Sequence, residues 1–146
     1  MGLVSDADQS EIKRIFEDLK DDVRLEFFTQ HESPIILRGL DCATCKDTRQ
    51  LIEELVALSE KLHLTVHEVD LDDEATRKHN VQRVPALIMA ADGVNGQLRY
   101  FGLPSGYEFS VLLGSLVDVS KAVPELSPAT LDLLNGLDKD LHIHVC

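Results

Sequence analysis

The stretch that begins at Thr44, TCKDTRQLIEELVALSEKL, constrains the fold of this chain most. It places Leu51, Ile52, Leu55, Val56, Leu58 and Leu62 on one face at helical spacing. Segments with strand character lie on either side. VRLEFFTQ, residues 23–30, alternates Val23, Leu25 and Phe27, and LTVHEVDLD brings in Leu64, Val66 and Val69. A helix between two strands is the crossover that parallel strands require. This part of the chain is therefore expected to form a parallel pair with a helix packed on it.

Further elements are read around that unit. SDADQSEIKRIFEDLK predicts an N-terminal helix with Ile12, Ile15, Phe16 and Leu19 on one stripe and Ser5, Asp6 or Asp8 as its cap. PIILRG, residues 34–39, reads either as loop or as a second strand. DEATRKHN is a short helix stopped at Asn80, a residue that tolerates the left-handed conformation. VPALIMAADG is a buried strand turning at Asp92-Gly93, and QLRYFG returns as the other arm of a hairpin. GYEFSVLLGSLVDVSK predicts a helix with Phe109, Leu112, Leu113, Leu116 and Val117 facing inward. SPATLDLLNGL starts one more helix with Ser-Pro, and DLHIHVC closes the chain as a strand. The fold class is α/β: a small mixed sheet sandwiched between helices, with an extra helix at the N-terminus.

Composition narrows the functional classes. The 146 residues suit one compact domain, and 44% hydrophobic with 27% charged residues is ordinary globular composition. The chain holds no apolar run of the roughly 18 residues a membrane span needs, and its first residues contain no apolar signal core. A protein without a membrane partner, residing in the cytoplasm, is expected. The net charge of −12 would repel a phosphate backbone, so nucleic acid is not an expected partner. The three cysteines, Cys42, Cys45 and Cys146, are too few for a secreted disulfide framework.

Cys42 and Cys45 stand at the head of the helix that begins near Thr44, in GLDCATCKDTR. Three readings are open: a redox pair, half of a zinc site, or two buried thiols. A disulfide closes when the Cα atoms lie within about 7 Å, which residues three apart on a first helical turn satisfy. The helix end favours a thiolate at Cys42. Asp41 opposes it, and Lys46 and Arg49 partly offset Asp41. Cys45, one turn further in, suits the resolving role. A structural zinc site would need a second Cys-x-x-Cys or a suitably placed His pair, and His63 and His67 fall at a helix–strand joint and along a strand. In HIHVC, His142, His144 and Cys146 share one strand face, which is either a soft-metal chelate or simply a polar face. No metal and no cofactor are assigned.

RVPALIMA puts a proline at the entrance of a buried strand, where it removes a ladder donor. A cis Val84-Pro85 bond that frees the neighbouring backbone for a bound peptide is one explanation. An ordinary trans proline opening an edge strand is the other, and the residues alone favour it. A faint internal echo relates FEDLKDDVRLEF, residues 16–27, to LNGLDKDLHIHV, residues 134–145, with Leu19 matching Leu137 and Asp22 matching Asp140.

A Cys-x-x-Cys at a helix start, RVPA some forty residues on, then a hairpin and a helix resemble the thioredoxin superfamily. The likeness is greatest to the two-unit, glutaredoxin-like protein disulfide oxidoreductases of thermophilic archaea and bacteria. RYFGLPSGYEFSVLLGSLVDVS resembles that family's segment after the hairpin, and GLVSDADQSEIKRIFEDL its N-terminal helix. The resemblance implies a thioredoxin-like three-layer sandwich. It further implies a first unit over residues 1–126, followed at 127–146 by the helix and strand that open a second, incomplete one. Cys42 then corresponds to the attacking thiol, Cys45 to the resolving thiol, Val84 and Pro85 to a cis-proline substrate-binding segment, and Glu26 to a buried acid relaying protons to the resolving thiol. The implied activity is thiol–disulfide exchange with protein or small-molecule disulfides and a reductant system. The alternatives are a docking module of weak redox activity and, third, a zinc module. An unpaired terminal strand would favour a homodimer.

Overall fold

The computed structural model describes residues 2–32, 35, 41–71 and 73–145. Helix α1 (Asp6–Phe16) is capped by Ser5, whose Oγ accepts from the Asp8 N–H at 3.2 Å, and it buries Ile12 and Phe16. Strand β1 (Val23–Thr29) leads toward the Cys-x-x-Cys, helix α2 (Cys45–Val56) follows it, and strand β2 (Leu62–Glu68) returns parallel to β1. Helix α3 (Asp73–Lys78) ends in a turn through Asn80 at φ 51°, the left-handed stop expected there. Strands β3 (Ala86–Ala90) and β4 (Leu98–Phe101) form the hairpin, and α4 (Tyr107–Lys121) and α5 (Pro128–Asn135) complete the chain.

The sheet order is β2-β1-β3-β4, with β1 parallel to β2 and antiparallel to β3. Side-chain alternation divides its two faces. Val23, Leu25 and Phe27 of β1 and Leu87 and Met89 of β3 join Ile12 and Phe16 of α1, Leu51, Ile52 and Leu55 of α2 and Leu112 and Leu116 of α4 in the main core. Phe28, Ala86 and Ile88 point the other way, into a smaller cluster with Ala75 of α3 and with Val69, Val81 and Val84. The molecule is thus the expected three-layer sandwich: α1, α2 and α4 on one face, the sheet, and α3 on the other. Each large side chain withdrawn fully from water contributes about 1.5–3 kcal/mol. Along β1, Val23, Phe27 and Phe28 have no exposed surface.

A buried hydroxyl ties the α1–β1 link to α4. Ser120 Oγ accepts from the Lys20 N–H at 2.7 Å and donates to the Asp21 carbonyl at 2.6 Å, and the Asp21 N–H donates to the Ser120 carbonyl at 3.2 Å. Ser120 is fully buried. Replacing it by alanine strips partners from two backbone groups, so Ser120→Ala is expected to lower stability by about 1–3 kcal/mol, read as a fall in the urea midpoint at unchanged slope.

Two local expectations are corrected. Leu62 opens β2 rather than closing α2, because the helix stops at Val56 and residues 57–61 turn the chain. The turn expected at Asp92-Gly93 is present, closed by the Val94 N–H donating to the Ala91 carbonyl at 3.1 Å. Residues 91–97 connect the arms, and the left-handed residue is Gly96 at φ 118°. The closing strand is absent over the described residues 140–145, which pair with no sheet. An alternating pattern becomes a strand only when its N–H and C=O groups find a neighbour, and here Leu141, Ile143 and Val145 stay exposed. Ahead of them, α5 is capped by Ser127, carries Pro128 in its first turn and buries none of its residues. The strand considered over residues 34–39 lies, apart from Ile35, outside the described residues.

Candidate functional site

Cys42 and Cys45 are joined by a disulfide, with their Cα atoms 5.5 Å apart. Cys45 is the first residue of α2 and is buried at 4% exposure, whereas Cys42 precedes the helix and is partly exposed. The Cys45 N–H points back to the Cys42 carbonyl at 3.5 Å. Thr44 occupies the cap position without a capping side-chain bond, so the first-turn amides are not consumed by Thr44 itself. Buried Thr48 donates its hydroxyl to the Thr44 carbonyl at 2.7 Å, tightening the turn that carries Cys45. On the other side, Gln30 Oε1 accepts the Cys42 N–H at 2.6 Å, tying the motif to the end of β1. An exposed sulfur joined to a shielded one at a helix head is the arrangement that sequential attack and resolution require.

The disulfide opens onto a groove of about 470 Å³ lined by Thr29, Gln30, His31, Glu32, Asp41, Cys42, Cys45, Lys46 and Arg49. Arg49 is anchored by Glu53 at 3.0 Å and lies 3.6 Å from Glu68. The hydrogen bond to Glu53, followed by the charges of Glu53, Glu68 and Glu32, raises the Arg49 guanidinium above its ordinary range, and burial only partly opposes this. Arg49 is accordingly a fixed positive charge at the rim of the groove.

The Val84-Pro85 bond is cis. Register places it: β1 and β3 pair Phe28 with Ala86, so Pro85 follows one step beyond, at the end of the sheet where Thr29 and Gln30 lead to Cys42. Pro85 is buried, and its carbonyl accepts the Gly102 N–H at 2.9 Å.

Glu26 takes a different place from the one expected. It projects from β1 on the same face as Phe28, the side covered by α3, whereas α2 packs on the opposite face through Leu25 and Phe27. Its carboxylate lies 3.4 Å from His67 Nε2 and 3.1 Å from His79 Nε2, and both rings pack against Phe28. A proton path from Glu26 to Cys45 would have to cross the sheet, so Glu26 is not in position to serve the resolving thiol.

His142 and His144 meet edge-on with ring centroids 4.4 Å apart, and Cys146 lies outside the described residues. Among the described residues no group of three His, Cys, Asp or Glu side chains could hold a metal ion. No helix among them is long and apolar enough to cross a membrane. Residue patterns alone did not single out Gln30, His31 or Glu68. His31 and Glu68 become neighbours only through the parallel register, in which Thr29 lies beside Glu68.

The βαβ unit, the antiparallel hairpin, the covering helix and a Cys-x-x-Cys disulfide at the head of α2 define a thioredoxin-like protein. Residues 35–114 match the thioredoxin domain family, and the chain belongs to it. Among curated relatives, an alkyl hydroperoxide reductase component of Xanthomonas campestris pv. phaseoli is 38% identical over 90 residues, which is 59% of this chain and 15% of that protein. An NADH dehydrogenase of Ferdinandcohnia aciditolerans is 23% identical over 97 residues, 66% of this chain and 16% of that protein. The chain therefore spans only about one sixth of the curated relatives it matches. Among solved structures, a protein disulfide oxidoreductase from Aeropyrum pernix K1 superposes with TM-score 0.74 at 23% identity, covering 91% of this chain and 55% of that one. The alkylhydroperoxide reductase AhpF of Enterococcus faecalis gives TM-score 0.72 at 16% identity, covering 92% and 61%. At these identities the structural likeness shows the fold.

Proposed function

We propose that this chain is a thiol–disulfide oxidoreductase that works through the Cys42–Cys45 couple in a reducing compartment such as the cytoplasm. In the reduced form the Cys42 thiolate attacks one sulfur of a protein or small-molecule disulfide and forms a mixed disulfide. The other substrate sulfur leaves as a thiolate. Cys45 then attacks Cys42, releases the second substrate sulfur and restores the Cys42–Cys45 bond, which a reductant system reopens. Substrate backbone would lie along Val84 and Pro85, at the sheet end that also carries Gln30. The observation that carries this reading is the partly exposed Cys42 bonded to buried Cys45 at the head of α2.

Removing the resolving thiol should arrest the cycle at its intermediate. Cys45→Ser, reduced and mixed with insulin, is expected to accumulate a covalent adduct through Cys42, visible by non-reducing electrophoresis and mass spectrometry and dissolved by dithiothreitol. If no adduct forms, and the wild-type couple also fails to equilibrate with glutathione, the domain is a docking module and not an exchange enzyme.

A further inference from the structure

We propose that His31, oriented by Glu68, is the proton partner of Cys42 in this groove. The proposal deepens the exchange reading above and rests on it for the substrate step. His31 follows β1 by two residues and is held at two points. Its N–H donates to Asp70 Oδ1 at 2.9 Å, and its Nδ1 lies 2.6 Å from Glu68 Oε2. An ionised carboxylate only accepts, so Nδ1 carries the hydrogen of that bond and Nε2 is the nitrogen that exchanges protons. The second Glu68 oxygen faces Arg49 at 3.6 Å, which fixes the carboxylate from the α2 side. His31 and Cys42 line the same groove, and Gln30, the residue between β1 and His31, bonds the Cys42 N–H.

Charged groups surround this pair from several elements. Glu68 and Asp70 face His31 from the end of β2, Arg49 and Lys46 stand on α2, and Glu32 and Asp41 lie on the flanking loop segments. Arg49, its guanidinium raised by the hydrogen bond to Glu53, keeps its proton throughout the working pH range. An imidazole is the side chain whose proton exchanges near neutral pH, and His31 is the one histidine lining the groove among the described residues.

The proton and electron balance is simple. Cys42 Sγ–H gives its proton to His31 Nε2, producing a thiolate beside an imidazolium. The thiolate forms a bond to one substrate sulfur, the substrate S–S bond breaks, and its electron pair leaves on the other sulfur. That sulfur takes the proton back from Nε2. When Cys45 then displaces the second substrate sulfur from Cys42, the Cys45 proton reaches the departing thiolate. Two electrons and two protons have passed from the dithiol to the substrate disulfide. His31 is the catalytic acid and base of this cycle, and Glu68 is a positioning residue.

The test reads Cys42 without any substrate. In a Cys45→Ser background, the rate of iodoacetamide labelling of Cys42 is followed from pH 5 to 9 by peptide mass spectrometry, which separates Cys42 from Cys146. His31→Gln is expected to slow labelling at pH 6.5 roughly tenfold and to move the profile to higher pH. Glu68→Gln should move it in the same direction by less, while the thermal midpoints of both variants stay near that of the parent. A labelling profile for His31→Gln that superimposes on the parent's overturns the proposal. Insulin reduction by the wild-type chain then separates the two readings. A shifted labelling profile with no insulin reduction keeps His31 as the partner of Cys42 and removes the exchange activity. Insulin reduction with superimposed profiles does the reverse.

Discussion

Replacing Cys42 by serine is expected to reduce the rate of insulin disulfide reduction, with dithiothreitol as electron source, to that of dithiothreitol alone. This is a loss on the order of a thousandfold or more. The size of the effect follows from geometry and chemistry together. A hydroxyl at this position is not ionised near neutral pH and forms no stable bond to sulfur, so neither the attack nor the intermediate survives the substitution. Cys45 cannot take over, because it is buried at the first turn of α2 beneath the motif. The variant should fold normally: Cys42 is partly exposed, and its backbone N–H still reaches Gln30. A Cys42→Ser protein that reduced insulin at the wild-type rate would falsify the mechanism outright, because no other described thiol is accessible.

The parts of this fold that could be read from residue order are those set by local periodicity. The stripe from Leu51 to Leu55 requires a helix, the alternation Val23, Leu25, Phe27 requires a strand, and a helix between two strands makes their pairing parallel. The two cysteines were legible for the same reason, since a spacing of three at a helix start by itself brings sulfur to sulfur. Where local pattern must compete with tertiary context, it fails. His142, Ile143, His144 and Val145 alternate as a strand would, yet a strand is defined by its neighbour and this segment has none. Leu62 continues the helical stripe in spacing but belongs to β2, because the parallel ladder begins where Val23 meets it.

The rest of the site depends on register, which a single chain of letters does not display. Glu26 is an acid beneath the motif only by the family resemblance. The pleat sends it to the α3 face with Phe28, where His67 and His79 claim its carboxylate. Conversely, nothing in the letters connects His31 with Glu68. The β1–β2 pairing puts Thr29 beside Glu68, and the two residues beyond Thr29 then swing His31 onto that carboxylate. A slip of one residue in this ladder would exchange the faces, bringing Glu26 toward α2 and taking Phe27 out of the main core.

The second large effect should come from Phe28. Its ring has no exposed surface, stacks on His67 with centroids 4.7 Å apart, and forms the centre of the smaller cluster with Ala86 and Ile88. Phe28→Ala is expected to cost about 3–5 kcal/mol. In a domain of this size that corresponds to a fall of about 6–20 °C in thermal midpoint. The loss lies in the upper part of the range because the α3 face has few other large side chains able to collapse into the space. Val145→Ala, at a position 94% exposed, serves as the control and should change stability by less than about 0.5 kcal/mol. The damage should also be local in a recognisable way. Phe28 pairs with Ala86 across β3 and with His67 across β2, so hydrogen exchange in the oxidised protein should accelerate first in α3 and along β3, before α1 and α4. If Phe28→Ala instead costs no more than the surface control, the α3 face is a solvated cover. The sheet end that presents Gln30 and Pro85 to the Cys42 groove would then owe its shape to the main core alone.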